Sequence, residues 1–169
     1  MTDKIPPLII LGSARKNSDT RKLIDKLFLD KDIALLDLLD YKVNGYKYDG
    51  NYPASDEFLK LIEVVLQHEQ LVFATPVYWY TMSGLMKTFF DRLTDIVTAH
   101  KALGRRMAGK ESFLLAVGAE DTLPPGFEEP FKLTSAYFHM HFKYTYYARA
   151  NAITSSLPKT DVLLQLLNL

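Results

Sequence analysis

Cysteine is absent from this 169-residue chain. Its absence excludes disulfide frameworks, thiolate metal sites, iron–sulfur clusters and cysteine nucleophiles. Net charge is absent too: 20 lysines and arginines balance 20 aspartates and glutamates, which argues against a basic nucleic-acid binder and an acidic disordered tail. Long apolar runs are also missing. The N-terminal run covers only Leu8 to Leu11, far short of a signal-peptide core or the roughly 20 residues that span a bilayer. A cytoplasmic protein with no nucleic-acid or membrane partner is therefore expected. No repeat, low-complexity block or linker divides the chain, and its length is close to the prior of about 150 residues per domain; a single domain over 1–169 is expected. Tryptophan is scarce, with one residue, whereas tyrosine and phenylalanine number ten each. The tyrosines cluster at 41–52, at Tyr78 and Tyr80, and at 137–147.

Short apolar runs alternate with longer segments of helical period. The runs are Pro7 to Leu11, Ile33 to Leu38, Leu71 to Ala74, Phe113 to Val117 and the mixed stretch Phe142 to Ala148. Their length and their Gly, Pro, Ser and Asp boundaries are those of buried strands. Between them, Leu23, Ile24, Leu27 and Phe28 recur at helical spacing. Phe58, Leu59, Ile62, Val65 and Leu66 do the same, as do Leu85, Met86, Phe89, Phe90 and Leu93. Weaker helical patterns cover 126–140 and 159–168, the second with Pro158 ahead of Val162, Leu163, Leu166 and Leu167. Five strands alternating with five helices predict a three-layer α/β domain around a parallel sheet, because parallel crossovers need a dozen or more residues and such strands are covered on both faces. Ligands of these sheets bind beyond the carboxyl ends of the strands.

Three of those ends carry chemistry. After the first strand, Gly12-Ser13-Ala14-Arg15-Lys16-Asn17-Ser18-Asp19-Thr20 opens a helix. Hydroxyls, a guanidinium and free helix N–H groups together make a phosphate cradle. The local alternative is a plain N-cap by Ser18 with Arg15 solvated. After the third strand, Thr75-Pro76-Val77-Tyr78-Trp79-Tyr80 places three consecutive aromatics at the sheet mouth. They suit a planar ligand, or else a loop covered by a neighbouring subunit. Ser83 then caps the helix that follows. After the fourth strand, Gly118-Ala119-Glu120-Asp121-Thr122 is a small-residue wall for a ligand edge, or a simple turn. Taken together, the loops describe a site for a planar ring with one phosphate on a tail.

On these motifs the chain resembles the flavodoxin-like NADPH-dependent FMN reductase family. GSARKNSDT is similar to that family's G-S-x-R-x-x-S-x-T loop. TPVYWYTMSGLMKTFFDRL is similar to its T-P-x-Y-W loop with the following S-G-x-x-K and D-R helix. The resemblance implies a flavodoxin-like sandwich with a five-stranded parallel sheet of order 2-1-3-4-5, bound FMN, and a homodimer or tetramer. It implies hydride transfer from NADPH or NADH through FMN to a flavin, quinone or similar small acceptor. By position, Ser13, Arg15, Asn17, Ser18, Asp19 and Thr20 would hold the FMN phosphate. Pro76, Val77, Tyr78 and Trp79 would line the isoalloxazine, and Gly118, Ala119 and Glu120 would wall its far edge. Related iron–sulfur flavoproteins keep a cysteine cluster where this chain has the tyrosines of 41–52, so that activity is excluded. The chain also lacks the T-x-T-G-x-T loop and the acidity of flavodoxins. An FMN enzyme therefore stands ahead of a non-enzymatic electron carrier or a flavin-binding regulatory protein.

No acid or base is assigned, because a flavin supplies the redox chemistry and the protein binds, orients and tunes it. His68, His100, His139 and His141 have no metal-ligand spacing. Glu63, Glu69 and Asp95 read as solvated helix faces, and Asp91-Arg92 as a structural ion pair. Arg105 and Arg106 read as a solvated basic turn or as a contact for a nicotinamide nucleotide's phosphate. The segment 41–52 is expected to form a lid or a subunit contact, and Tyr144 and Tyr146 to be sheet packing.

Overall fold

The computed structural model describes residues 5–155, 157 and 160–169. Five strands, β1 (Leu8–Leu11), β2 (Ala34–Asp37), β3 (Gln70–Pro76), β4 (Glu111–Gly118) and β5 (His141–Arg149), form one parallel sheet in the order β2-β1-β3-β4-β5. The helices are α1 (Asp19–Leu27), α2 (Phe58–Val65), α3 (Gly84–Thr98), α4 (Lys101–Arg105), α5 (Glu129–Tyr137) and α6 (Asp161–Leu167). The expected three-layer arrangement is present, with short α4 as an additional helix. Pro158, read as the lead-in to α6, lies outside the described residues. Among the described residues, no helix is long and apolar enough to cross a membrane.

Period-two alternation builds the layers. Leu8, Ile10, Leu71, Phe73, Leu114 and Ala116 share one core with α2, α3 and α5. Their neighbours Ile9, Leu11, Val72, Ala74, Phe113, Leu115 and Val117 share the other with α1 and α6. A register shift at Ser112/Phe113 inserts one extra β5 residue, Lys143, between Phe142 and Tyr144. Phe142 therefore packs on the first face while Tyr144 and Tyr146 pack on the second, as expected for sheet tyrosines. Burial pushes the Tyr146 phenol up to about 12. β2 stops one residue early because the Asp37 carboxylate accepts from Leu39 N–H at 3.0 Å and turns Leu38–Asp40 into a helical turn.

The connection after β2 is tied down by one buried arginine. Arg92, on α3, is 2% exposed and reaches Asp56 with both terminal nitrogens, at 2.8 and 3.0 Å. Its Nε donates to Asp95 at 2.7 Å, and Nη1 also donates to the Asn44 carbonyl at 2.8 Å. Its guanidinium lies 3.6 Å from the Tyr52 ring centroid. Asp95 is thus a buried partner of Arg92 rather than a solvated face, and Asp91 pairs with Lys87 instead of Arg92. Burial pushes the Asp56 carboxyl up, but Arg92 and the Asn44 amides outweigh it and hold it well below the usual carboxylate range. The tyrosine segment is strapped along α3, with Tyr48 left 98% exposed against the edge of Tyr46.

Candidate functional site

At the carboxyl ends of β1, β3 and β4, three loops close around a cavity of about 180 Å³. The first wall is the β1–α1 turn. Gly12 has no room for a side chain: a Cβ there would stand 2.9 Å from that of Met86, on α3. Gly12 N–H donates to the Ala74 carbonyl at 2.8 Å, and the Gly12 carbonyl accepts from the Ser83 hydroxyl at 2.6 Å. Ser83 also caps α3 as expected, accepting from Met86 N–H at 3.1 Å. One serine therefore locks the first loop to the start of the helix behind the second.

At the N-terminus of α1 both local readings hold at once. Ser18 is the cap, its Oγ accepting from Arg21 N–H at 3.1 Å. The hydroxyls of Ser13 and Thr20, 0% and 1% exposed, have no hydrogen-bond partner. Both residues border the cavity. Helix geometry leaves the first backbone amides of α1 without carbonyl partners, and the macrodipole makes that end positive. Asp19 does not spoil this field, because Lys22 at 2.9 Å and Arg15 at 3.7 Å offset its carboxylate. Lys16 is engaged elsewhere: hydrogen bonds to Asp37 and then Asp40 raise its pKa and tie the loop to β2.

The second wall is a tight hairpin. Tyr78 and Thr81 exchange both backbone hydrogen bonds, at 2.9 and 3.1 Å. Trp79 and Tyr80 between them have φ of 48° and 65°. Turns of this kind normally carry Asn-Gly, because a side chain in the left-handed region costs about 1–2 kcal/mol. Here two large aromatics stand there, 91% and 71% exposed. Strain held beside a cavity is a mark of a functional site. Trp79→Gly is accordingly expected to leave stability unchanged or to raise it by up to about 1 kcal/mol, the relieved strain outweighing glycine's entropy cost. A thermal scan of the two proteins checks this; a clear fall in Tm would contradict the strain.

β5 holds the third wall in place. The Tyr147 hydroxyl donates to the Glu120 carbonyl at 2.7 Å, and Arg149 Nε donates to the Ala119 carbonyl at 3.0 Å. Arg149 also pairs with Asp121. Gly118 is a glycine because of Tyr147: an added Cβ would lie 2.6 Å from the tyrosine hydroxyl. Small size at 118 thus leaves room for the tyrosine behind the loop. Tyr147 and Arg149 are site-positioning residues that strand alternation alone does not reveal.

The cavity brings together Ser13, Arg15, Ser18, Asp19, Thr20, Pro76, Val77, Tyr78, Gly118 and Ala119. Asn17, Trp79 and Glu120 lie outside its lining. No residue of 41–52 borders this cavity. Arg105 also stands far off. It follows α3, whose 15 residues run about 22 Å away from this end of the sheet.

Known proteins are similar to this chain in sequence and in fold. The model of the family described as NADPH-dependent FMN reductase matches residues 7–141. Bacillus subtilis YwqN, assigned by name to the NAD(P)H-dependent FMN-containing oxidoreductases, is 29% identical over 67% of this chain. An uncharacterized NAD(P)H oxidoreductase of the same organism, YrkL, is 30% identical over 82% of this chain. These matches span 66% of YwqN and 79% of YrkL. Among solved structures, general stress protein 14 of Treponema denticola in complex with FMN superimposes with a TM-score of 0.66 at 17% identity, over 96% of this chain and 98% of that one. That likeness shows the fold.

Proposed function

The chain belongs to the NADPH-dependent FMN reductase family, and we propose that its carboxyl-end cavity binds FMN for hydride transfer from a reduced nicotinamide nucleotide to a small acceptor. One observation carries this reading: two buried hydroxyls, Ser13 and Thr20, without partners, flank a helix N-terminus. Leaving a buried hydroxyl unsatisfied costs about 1–3 kcal/mol. A phosphate seated against them accepts from both hydroxyls and from the first amides of α1, with Arg15 at hand for its outer oxygens.

The cavity's about 180 Å³ falls short of the roughly 300–1,000 Å³ of pockets that enclose a whole ligand. It fits the charged tail and leaves a planar ring against the Pro76–Tyr78 turn and the Gly118–Ala119 wall. The Val77 and Tyr78 N–H groups are already spent on the Val117 and Thr81 carbonyls, so the Ala119 and Glu120 amides would be the donors for the ring's polar edge. The exposed hairpin leaves the outer face open to donor and acceptor in turn. FMN, when bound, accepts and passes on the hydride; the chain binds, orients and shields it. A flavin, a quinone or a similar planar oxidant suits an open face rimmed by aromatics. Steady-state oxidation of NADPH and NADH, with and without added FMN and with each acceptor class, tests the reading. A protein that binds no flavin and oxidises neither nucleotide would overturn it.

A further inference from the structure

A second cavity lies at the opposite end of the sheet, and the proposed flavin chemistry makes no use of it. Helix α4 leads toward the start of β4, the turn after α5 leads into β5, and the end of α3 comes down beside both. Between them is a cleft of about 700 Å³, inside the roughly 300–1,000 Å³ range of small-molecule sites. Glycine builds its floor. A Cβ on Gly104 would stand 2.3 Å from the Ile96 carbonyl oxygen and 3.7 Å from the Phe138 ring. Only glycine lets α4 lie this close on α3, and the result is a fixed apolar base.

Two cations border this base. Lys101 and Arg105 sit four residues apart on α4, hence on one face, and both line the cleft. Among the described residues neither has an acidic partner within 4.0 Å, and no aspartate or glutamate lines the cleft. Lys16, Arg21, Lys22, Lys60, Lys87 and Arg92 all have carboxylate partners. Among the described residues Lys26, Lys31, Lys42, Lys47 and Arg106 have none within 4.0 Å either, but Lys101 and Arg105 are the two that line one cleft together. Like charges one helical turn apart repel, and here no protein group relieves them. Tyr137, 67% exposed, adds an aromatic rim.

An apolar base, two unpaired cations and an aromatic rim define one ligand class. We propose that this cleft binds a small organic anion with an aromatic body, such as an aryl carboxylate or sulfonate. It is a second site, independent of the flavin reading. Hydride transfer needs atoms within about 3–3.5 Å, so an occupant here is not a reacting donor.

The test is a fluorescence titration of the FMN-supplemented full chain with 1-anilinonaphthalene-8-sulfonate. The uncharged N-phenyl-1-naphthylamine is run beside it. Saturable 1:1 binding of the sulfonate that excess FMN does not displace is expected. Lys101→Glu/Arg105→Glu should weaken it at least about tenfold while leaving the uncharged probe's affinity as it was. Lys101→Gln/Arg105→Gln gives a smaller loss and keeps the test available if the charge reversal disturbs folding. The proposal is overturned by equal sulfonate affinity in both variants and the parent, by displacement with FMN, or by no saturable binding. A dimer in light scattering that only the charge reversal splits would equally overturn it, since the cleft would then seat a second copy.

Discussion

Replacing Arg92 with leucine is expected to destabilise the protein by about 3–5 kcal/mol, the usual consequence of leaving buried carboxylates without their cation. For a chain of this size that is a fall in Tm of about 6–20 °C. The loss comes from what stays behind. Asp56 and Asp95 would keep their charges with no guanidinium between them, the Asn44 carbonyl would lose its donor, and Tyr52 its stacked cation. Replacing Arg92, Asp56 and Asp95 together by apolar residues is expected to cost less than Arg92→Leu alone, because no buried charge is then orphaned. The pH dependence has a definite sign. Arg92 holds Asp56 below the usual carboxylate range, so its stabilisation is fully present above about pH 4 and is lost as pH falls below that. In the leucine variant the orphaned Asp56 protonates more readily, so the gap between the proteins should narrow on acidification. Urea unfolding of the three proteins at neutral and acidic pH checks all of this. A gap below about 1 kcal/mol at neutral pH, outside the range for breaking a buried pair, would contradict it.

The second large effect runs in opposite directions in the free and the flavin-loaded protein. Ser13→Ala and Thr20→Val each remove a buried hydroxyl that has no protein partner. Without flavin, each variant should be as stable as the parent or more stable by about 1–3 kcal/mol, the cost of an unsatisfied buried group. With flavin, each should bind FMN about 10- to 100-fold more weakly, since each loses one hydrogen bond to a charged phosphate. Riboflavin, which has no phosphate, should be bound almost equally by parent and variants. Calorimetric titration and thermal scans on the same samples give both halves. A variant that loses stability and keeps its FMN affinity would show that these hydroxyls are structural.

Much of the architecture is legible in the chain because the buried strands are continuous apolar runs. Leu8–Leu11, Leu71–Ala74 and Phe113–Val117 are buried throughout, as a sheet covered on both faces requires. The loop positions of the site follow from the strand ends, and ten of the thirteen residues named from the motifs border one cavity. What the chain hides is pairing across distance. Asp95 sits three residues after Arg92 and looks like an exposed helix charge, until Asp56 arrives from 36 residues away to close the cluster. Propensity hides the hairpin too, for nothing about Trp79-Tyr80 announces a left-handed turn usually reserved for Asn-Gly. Tyr147 and Arg149 read as ordinary strand residues, because their work lies beyond the sheet, holding the Ala119–Glu120 carbonyls.

The most direct test of the central claim is an anaerobic titration. The purified chain is saturated with FMN, freed of excess cofactor, and NADPH is added in steps while the visible flavin band is followed. The account predicts that flavin stays with the protein and that its band bleaches with one equivalent of NADPH, then returns on adding a quinone. Flavin that washes off the parent as readily as off the Ser13→Ala/Thr20→Val protein, or a bound band that NADPH and NADH leave unchanged, would contradict it.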